Sequence, residues 1–312
     1  MFKKIKSAIE WRLERAGHIR LKLYWNIKRF FDFSTKVNVN NISIIVVGRN
    51  DNYGGDFRKR LQTTLDWNIS NLPESELIYI EWNKIKDRDS DTEWISERYN
   101  NSRCFIVSEE IHKKICKNPQ IPMMEYFAKN MGIRRAKYNW ILLINADVFL
   151  DPITVKRMNK LNINTIYGTH YINIDWDRMP INYNHINKKN IRKTSFSTNK
   201  NLSSVVGNLI LTHKNNWLKA KGYDESLRDV RSGVDNDGLK QLLSLGLKTM
   251  VLGNHFHLDH PEASTTSGYN PTHGNINVLK NRKYPYKNAD NWGLANYKEL
   301  QIKERIWQIE EI

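Results

Sequence analysis

Three groups of side chains carry residue types suited to metal and acid-base chemistry. The first is Asn145-Ala146-Asp147, directly after the apolar run Trp140-Ile-Leu-Leu-Ile144. A carboxylate that ends a buried strand stands at the open edge of a sheet, as a metal ligand, an acceptor for a bound molecule or a helix cap. Asp151-Pro152 already provides a cap for the next helix, which leaves Asp147 for the other roles. The second group is His255, His257 and His260. In extended geometry His255 and His257 share a face, and His260 follows the turn. The helical H-E-x-x-H zinc pattern is absent, whereas one histidine, one carboxylate and a diphosphate suit Mn²⁺ or Mg²⁺. Each histidine is equally readable as a loop residue with backbone partners. In the third group Asp235 and Asp237 flank Asn236 at a helix start, where either caps the helix or takes a proton from an attacking hydroxyl.

These residues need a scaffold, and the patterning supplies an α/β one. Residues 41–47 are a short β-branched run, as in a strand buried on both faces of a parallel sheet. A polar loop, residues 48–55, precedes a helix with Phe57, Leu61 and Leu65 at spacing four, and residues 76–81 read as a second strand. A β-loop-α-β opening places ligands at the strands' C-terminal ends, near residues 48–55 and 81–83. The 48–55 loop matches neither G-x-G-x-x-G nor G-x-x-x-x-G-K-[ST], and alone it reads as an ordinary βα turn. A short helix around Trp94 and strands over 103–107 and 140–144 follow, with a helix over 122–137 between those strands. A helix from Asp151 to about Lys160, a strand over 164–171, a strand over 205–212, helices after 217 and 232, and a strand over 249–252 complete the pattern. Residues 172–202 have little periodic apolar signal and read as a long loop, a candidate lid. The amphipathic end, residues 297–309, predicts a helical cap. There is no internal repeat.

Composition narrows the class. The 312 residues are 40% apolar with a formal charge of +16, which excludes a disordered tail, a collagen-like repeat and a disulfide scaffold. Cys104 and Cys116 read as reduced thiols of a cytosolic protein. No apolar run approaches the roughly 18 residues of a membrane span, and the N-terminus lacks a signal-peptide core. Residues 1–33 interleave Lys and Arg with Trp, Leu and Phe at helical spacing. Such an arm suits an anionic membrane surface, or packs on its own domain or a partner. Helix-turn-helix, zinc-finger and RNP-like patterns are absent, and no nucleic acid is expected as a partner despite the charge. The expected boundaries are 1–37 for the arm, 38–275 for the α/β domain and 276–312 for a helical extension.

Taken in order, the pieces resemble the GT-A glycosyltransferases, especially the family-two inverting enzymes and the galactosyltransferase C-terminal domain. The resemblance covers residues 41–262. It is carried by the opening strand and loop, the second strand to Asn83, and Asn130-Met-Gly-Ile-Arg-Arg-Ala-Lys137, which is similar to an N-x-G-x-x-x-A helix. Asn145-Ala-Asp147 is similar to D-x-D, Lys221-Gly-Tyr-Asp-Glu225 to GGFDE, Val234-Asp-Asn-Asp-Gly-Leu239 to EDxDL, and His257-Leu-Asp-His260 to H-x-x-H. It departs from the family at Asn145, at Val234 and at Gly48-Arg49, where the family carries an acid, an acid and Pro-Tyr.

The resemblance implies a GT-A fold, a mixed, mostly parallel sheet flanked by helices, and transfer of a sugar from a UDP- or GDP-type donor to a glycan or lipid-linked hydroxyl. With the basic arm it implies a cell-surface polysaccharide as product, and the cysteines and the arm give the expected location, cytoplasmic and peripheral on the inner face of the membrane. By the same resemblance Gly48, Arg49, Asn50, Asp51, Glu81, Asn83, Arg134, Asn145, Ala146 and Asp147 bind the nucleotide-sugar, with Arg134 or Arg135 assisting the leaving phosphate. Asp147 with His257 or His260 holds a divalent metal, Mn²⁺ or Mg²⁺; Asp235 is the general base and Asp237 positions the acceptor. The alternatives are a nucleotidyltransferase of related fold, which releases pyrophosphate instead of a nucleoside diphosphate, and, ranked below it, a basic nucleic-acid-binding protein.

Overall fold

Apolar residues at both parities of the first strand bury it on two sides: Ile42, Ile44 and Val46 face one core cluster, Ile45 and Val47 the other. The structure, a computed structural model, describes residues 42–175, 186, 188–198, 201–203, 206–261 and 274–312. The basic arm expected over residues 1–37 lies outside them.

In chain order the elements are β1 (Ile42–Gly48), α1 (Phe57–Asn71), β2 (Glu76–Trp82), α2 (Asp91–Arg98), β3 (Ser102–Val107), α3 (Glu109–Ile115) and α4 (Glu125–Arg135). Then come β4 (Trp140–Ile144), β5 (Val148–Leu150), α5 (Pro152–Arg157), β6 (Thr165–Ile174), β7 (Ile191–Ser195), β8 (Leu209–His213) and α6 (Lys214–Ala220). The rest are α7 (Val234–Ser244), β9 (Lys248–Leu258), β10 (Tyr297–Lys303) and β11 (Ile306–Glu311). One mixed sheet runs β10-β11-β3-β2-β1-β4-β8-β6-β9-β5, with β7 paired to β6. The block β11-β3-β2-β1-β4 is parallel, and β8 turns the direction by pairing antiparallel to β4. Helices α1, α2 and α5 pack on one face, and α3, α4, α6 and α7 on the other. The expected α/β class is therefore met. From β1 the chain first builds outward through β2 and β3 and then returns to β1's other side with β4. That reversal opens a crevice at the C-terminal ends of β1 and β4.

The 130–136 motif packs the helix. Gly132 sits where a Cβ would lie 2.7 Å from the Ile45 side chain, so only glycine lets α4 lie this close to β1. Asn130, fully buried, accepts from the Tyr223 amide at 2.7 Å and donates to the Tyr223 carbonyl and the Glu225 carboxylate, both at 2.9 Å. It thereby ties α4 to the Lys221-Gly222 turn, whose two residues have φ of 56° and 73°. A Cβ on Gly222 would lie 2.3 Å from the Asn130 oxygen.

Three sequence expectations change. The 276–312 segment is not a helical extension: apart from a short 3₁₀ turn (Ile276–Leu279), its regular structure is the β10-β11 hairpin, and β11 joins the sheet beside β3. Ile306 and Ile309, a helix-like three apart, enter opposite core clusters from opposite faces of a strand. The loop expected over 172–202 contains a ribbon in its described parts, because β6 continues to Ile174 and β7 pairs with it. Alternation of polar residues toward the crevice hides these strands from an apolar-period reading. Lastly, β9 extends through His255 and His257, so those histidines lie on the strand and not after it.

Candidate active site

Asp147 is fixed by its neighbours. Between β4 and β5 the backbone turns, with Val148 N–H donating to the Asn145 carbonyl at 3.2 Å. Helix α1 clamps this turn from one side: Thr64 donates to the Ala146 carbonyl at 2.6 Å, Asn68 bonds Val148 and Leu150, and Trp67 donates to the Leu150 carbonyl. On the other side β5 pairs with β9, Val148 opposite His257, and the Leu258 N–H donates to the Asp147 carbonyl at 2.9 Å. The same register that closes the sheet brings Asp147 to His257.

The Asp147 carboxylate then meets two imidazoles, with His260 Nε2 3.0 Å from Oδ2 and His257 Nε2 3.6 Å from Oδ1. Candidate ligand atoms of the three residues all lie within 4.8 Å of one another. The remaining ring nitrogens fix the tautomers. Asn173 donates its amide to Asp259 at 2.7 Å, which orients its oxygen toward His257 Nδ1 at 2.8 Å. His260 Nδ1 lies 3.1 Å from the Pro261 carbonyl. Two acceptors thus place the proton on each Nδ1 and turn the Nε2 lone pairs toward a carboxylate. Lone pairs facing an anion need a proton or a cation between them, and the buried Oδ1 of Asp147 has no hydrogen-bond partner. Leaving such an oxygen unpaired costs about 1–3 kcal/mol. The donor set and the orphaned oxygen fit a divalent cation, carboxylate and imidazole being suitable ligands for Mn²⁺.

The electrostatics agree with the geometry. Burial pushes the Asp147 carboxyl up, but His260, His257 and Arg60 outweigh it and hold it below its ordinary value. Burial lowers His257, with Asp147 opposing. For His260 the bond to Asp147 overcomes burial and raises it. Arg60, 1% exposed, lies beneath the 48–55 loop and donates to the carbonyls of Tyr53, Gly54 and Gly55. It is a buried cation within the field of Asp147 that the sequence reading missed, being hidden among the basic residues of α1. His255 stands apart: fully buried, 2.6 Å from Thr169 and pushed down by burial to about 3, it serves the core.

A cavity of about 510 Å³ extends from this corner. Of the sequence-chosen residues, Gly48, Arg49, Asp51, Asn145, Ala146, Asp147, His257 and His260 line it. Arg49 is braced, its Nε donating to the Asn83 carbonyl at 2.9 Å and its Nη1 to Asp51 at 3.0 Å. The ribbon adds Tyr171 and Asn173 from β6 with Lys193 and Ser195 from β7, register partners on one face. Asn208, Arg231 and Glu125 line the cavity as well. The ribbon and Glu125 were also missed; alternate polar residues at 171, 173, 193 and 195 were the available signal.

Other chosen residues stand elsewhere. Asn50 folds the 83–90 loop, accepting from the Ile85 N–H at 2.8 Å and donating to three carbonyls of that loop. Asn83 donates to the Pro122 carbonyl at 2.7 Å and reaches the cavity's edge only by way of Arg49. Glu81, fully buried, accepts from Ser90 and from the Asp91 N–H, closing the start of α2; it does not line the cavity. Arg134 stacks on Trp292 at the C-terminal end of α4, about 13 Å along the axis from Glu125, and Arg135 bonds the Gly293 and Leu294 carbonyls. Neither arginine is placed to meet a leaving phosphate. Asp237 is 2% exposed and pairs with Arg282 at 3.1 Å and Tyr284 at 2.6 Å, so it secures the 276–312 segment and does not contact an acceptor in the cavity. Asp235 pairs with Lys129 at 3.0 Å.

No protein-family model and no curated protein matches the chain. Among solved structures it is similar to GalNAc-T7 with UDP, GalNAc and Mn²⁺, with a TM-score of 0.46 and 12% identity over 75% of this chain and 47% of that one. It is also similar to S. aureus TarS 1–349 in complex with UDP, at 0.46 and 12% over 70% and 60%. Against S. aureus TarS the figures are 0.43 and 12% over 70% and 37%. The chain thus spans less than two thirds of each.

Proposed function

We propose that the protein is an inverting GT-A glycosyltransferase that moves a sugar from a UDP- or GDP-type donor to a hydroxyl of a glycan or lipid-linked acceptor. The observation that carries this reading is Asp147, an ionised carboxylate with one orphaned oxygen, facing two imidazoles of fixed tautomer at the strand-end crevice. Asp147, His257 and His260 would hold Mn²⁺ or Mg²⁺. Such an ion, when bound, neutralises charge developing on the leaving diphosphate. Arg49 and Asp51, braced against Asn83, form the end of the cavity suited to a nucleobase and ribose. Lys193 and Arg231 supply positive charge on the walls between. Holding donor and acceptor in line makes a single displacement effectively intramolecular. A carboxylate on the α4-α7 side takes the acceptor's proton. The basic, aromatic pattern of residues 1–33 supports a site on the inner face of a membrane and a role in surface polysaccharide synthesis.

Calorimetric titration of UDP and GDP, each with and without Mn²⁺, tests this. The expected result is Mn²⁺-dependent binding of one nucleotide. Failure of both to bind, together with release of pyrophosphate from nucleoside triphosphates, would replace the reading with a nucleotidyltransferase.

A further inference from the structure

The motif-based reading makes Asp235 the base, yet another carboxylate occupies the cavity wall. Glu125, the first residue of α4, lines the cavity, and its side chain is 32% exposed. Asp235, in the first turn of α7, has a side chain 26% exposed, and its Oδ2 lies beside Gly207, where a Cβ would be 3.5 Å away, one residue before the cavity-lining Asn208. The two carboxylates are joined by one ammonium. Lys129, one turn along α4 and 4% exposed, places Nζ 2.7 Å from Glu125 and 3.0 Å from Asp235.

A buried ammonium is stable only when paired, and this one has two partners on two helices. Burial opposes its charge, but Asp235 and Glu125 outweigh burial and hold Lys129 well above its ordinary value. Burial pushes Asp235 up, with Lys129 pulling the other way. The buried Tyr223 hydroxyl, which has no hydrogen-bond partner, lies within the field of all three groups. Two carboxylates and one ammonium carry a single net negative charge, which suits accepting one proton.

We propose that Glu125 takes the proton of the acceptor hydroxyl, and that Lys129 and Asp235 are positioning residues that aim it and set its basicity. This rests on the transferase reading. The acceptor oxygen forms its bond to the anomeric carbon as the carbon–phosphate-oxygen bond breaks and its electron pair leaves with the nucleoside diphosphate. The hydroxyl proton passes to Glu125 and from there to solvent. Asp235 acts through Lys129, because removing its charge leaves the ammonium wholly to Glu125.

The test uses the full chain with a panel of UDP- and GDP-sugars, water as acceptor, and release of nucleoside diphosphate as readout. Glu125→Gln is expected to lower kcat by about 100-fold or more while leaving Mn²⁺-dependent nucleotide binding within about twofold. Asp235→Asn, which keeps the Lys129–Glu125 pair and hence the fold, is expected to shift the acid limb of the pH–rate profile to lower pH. If Glu125→Gln turns over at the wild-type rate, or Asp235→Asn alone shows the 100-fold loss, Glu125 is not the base. An unmoved acid limb in Asp235→Asn removes the positioning role. If wild type neither binds nucleotide nor releases diphosphate, the transferase reading itself has failed.

Discussion

Asp147 and Glu81 stand at the same kind of place, the C-terminal end of a parallel strand beside β1, and have opposite fates. Glu81 has both oxygens engaged, one by Ser90 and one by the Asp91 N–H, and burial pushes it up to about 7. Asp147 has one oxygen orphaned, and imidazoles and a guanidinium hold it down despite burial. A strand-end carboxylate is therefore not functional by position. The partners that later elements bring decide whether it closes a helix or waits for a cation.

The comparison breaks most sharply on substitution of Asp147. Asp147→Asn keeps the shape but removes the charge, and should weaken Mn²⁺-dependent nucleotide binding beyond the roughly 10–100-fold that loss of an outer-shell partner costs, as read by calorimetry. Asn173→Ala removes the oxygen that fixes the His257 tautomer and leaves Asp259 paired with Arg192. Mn²⁺ affinity, measured by electron paramagnetic resonance, should fall by about tenfold, with the fold unchanged. Equal affinities in Asn173→Ala and wild type would show that the tautomer does not matter.

Glu81→Gln sharpens the comparison from the other side and should leave nucleotide binding within about twofold. Its effect is on stability. Because the folded-state value, about 7, lies above the ordinary 4.5, the folded chain holds more protons between those pH values. Glu81 therefore makes wild type lose stability as pH rises from 4.5 to 7, by about 2–3 kcal/mol. The Gln variant should lack that decline in denaturant titrations at pH 5 and pH 8. An unchanged difference between the two pH values would mean that Glu81 is ionised at little cost in the folded chain.

Much of the scaffold was legible because its signals are local. The β-branched run of β1, the spacing-four face of α1 and the Asp151 cap on α5 all form where the sequence places them; Asp151 accepts from the Ile153 N–H at 3.0 Å. The pairing of Asp147 with His257 and His260 was legible too, since a strand-end acid and a histidine pair after a late strand fit one family pattern. Glu81, Arg134 and Asp237 were misplaced for one reason: a sequence gives residue type and order but not which partner consumes a side chain. Arg282, Ser90 and Trp292, distant in sequence or unremarkable in type, supply those partners. The ribbon at 171–174 and 191–195 and the hairpin at 297–311 escaped notice because half-exposed strands carry weak alternation.

The sequence by itself determined the α/β class, the order of the core strands and the presence of a carboxylate and two histidines able to meet. These follow from local propensity and apolar period, which act within a few residues. Only the tertiary structure decided that the β5-β9 register brings them within 4 Å, that Asn173 and Pro261 turn their lone pairs inward, and that Lys129 joins Glu125 at the cavity wall to Asp235 on α7. Those outcomes depend on hydrogen bonds and ion pairs between residues tens of positions apart, which exist only once the sheet has closed.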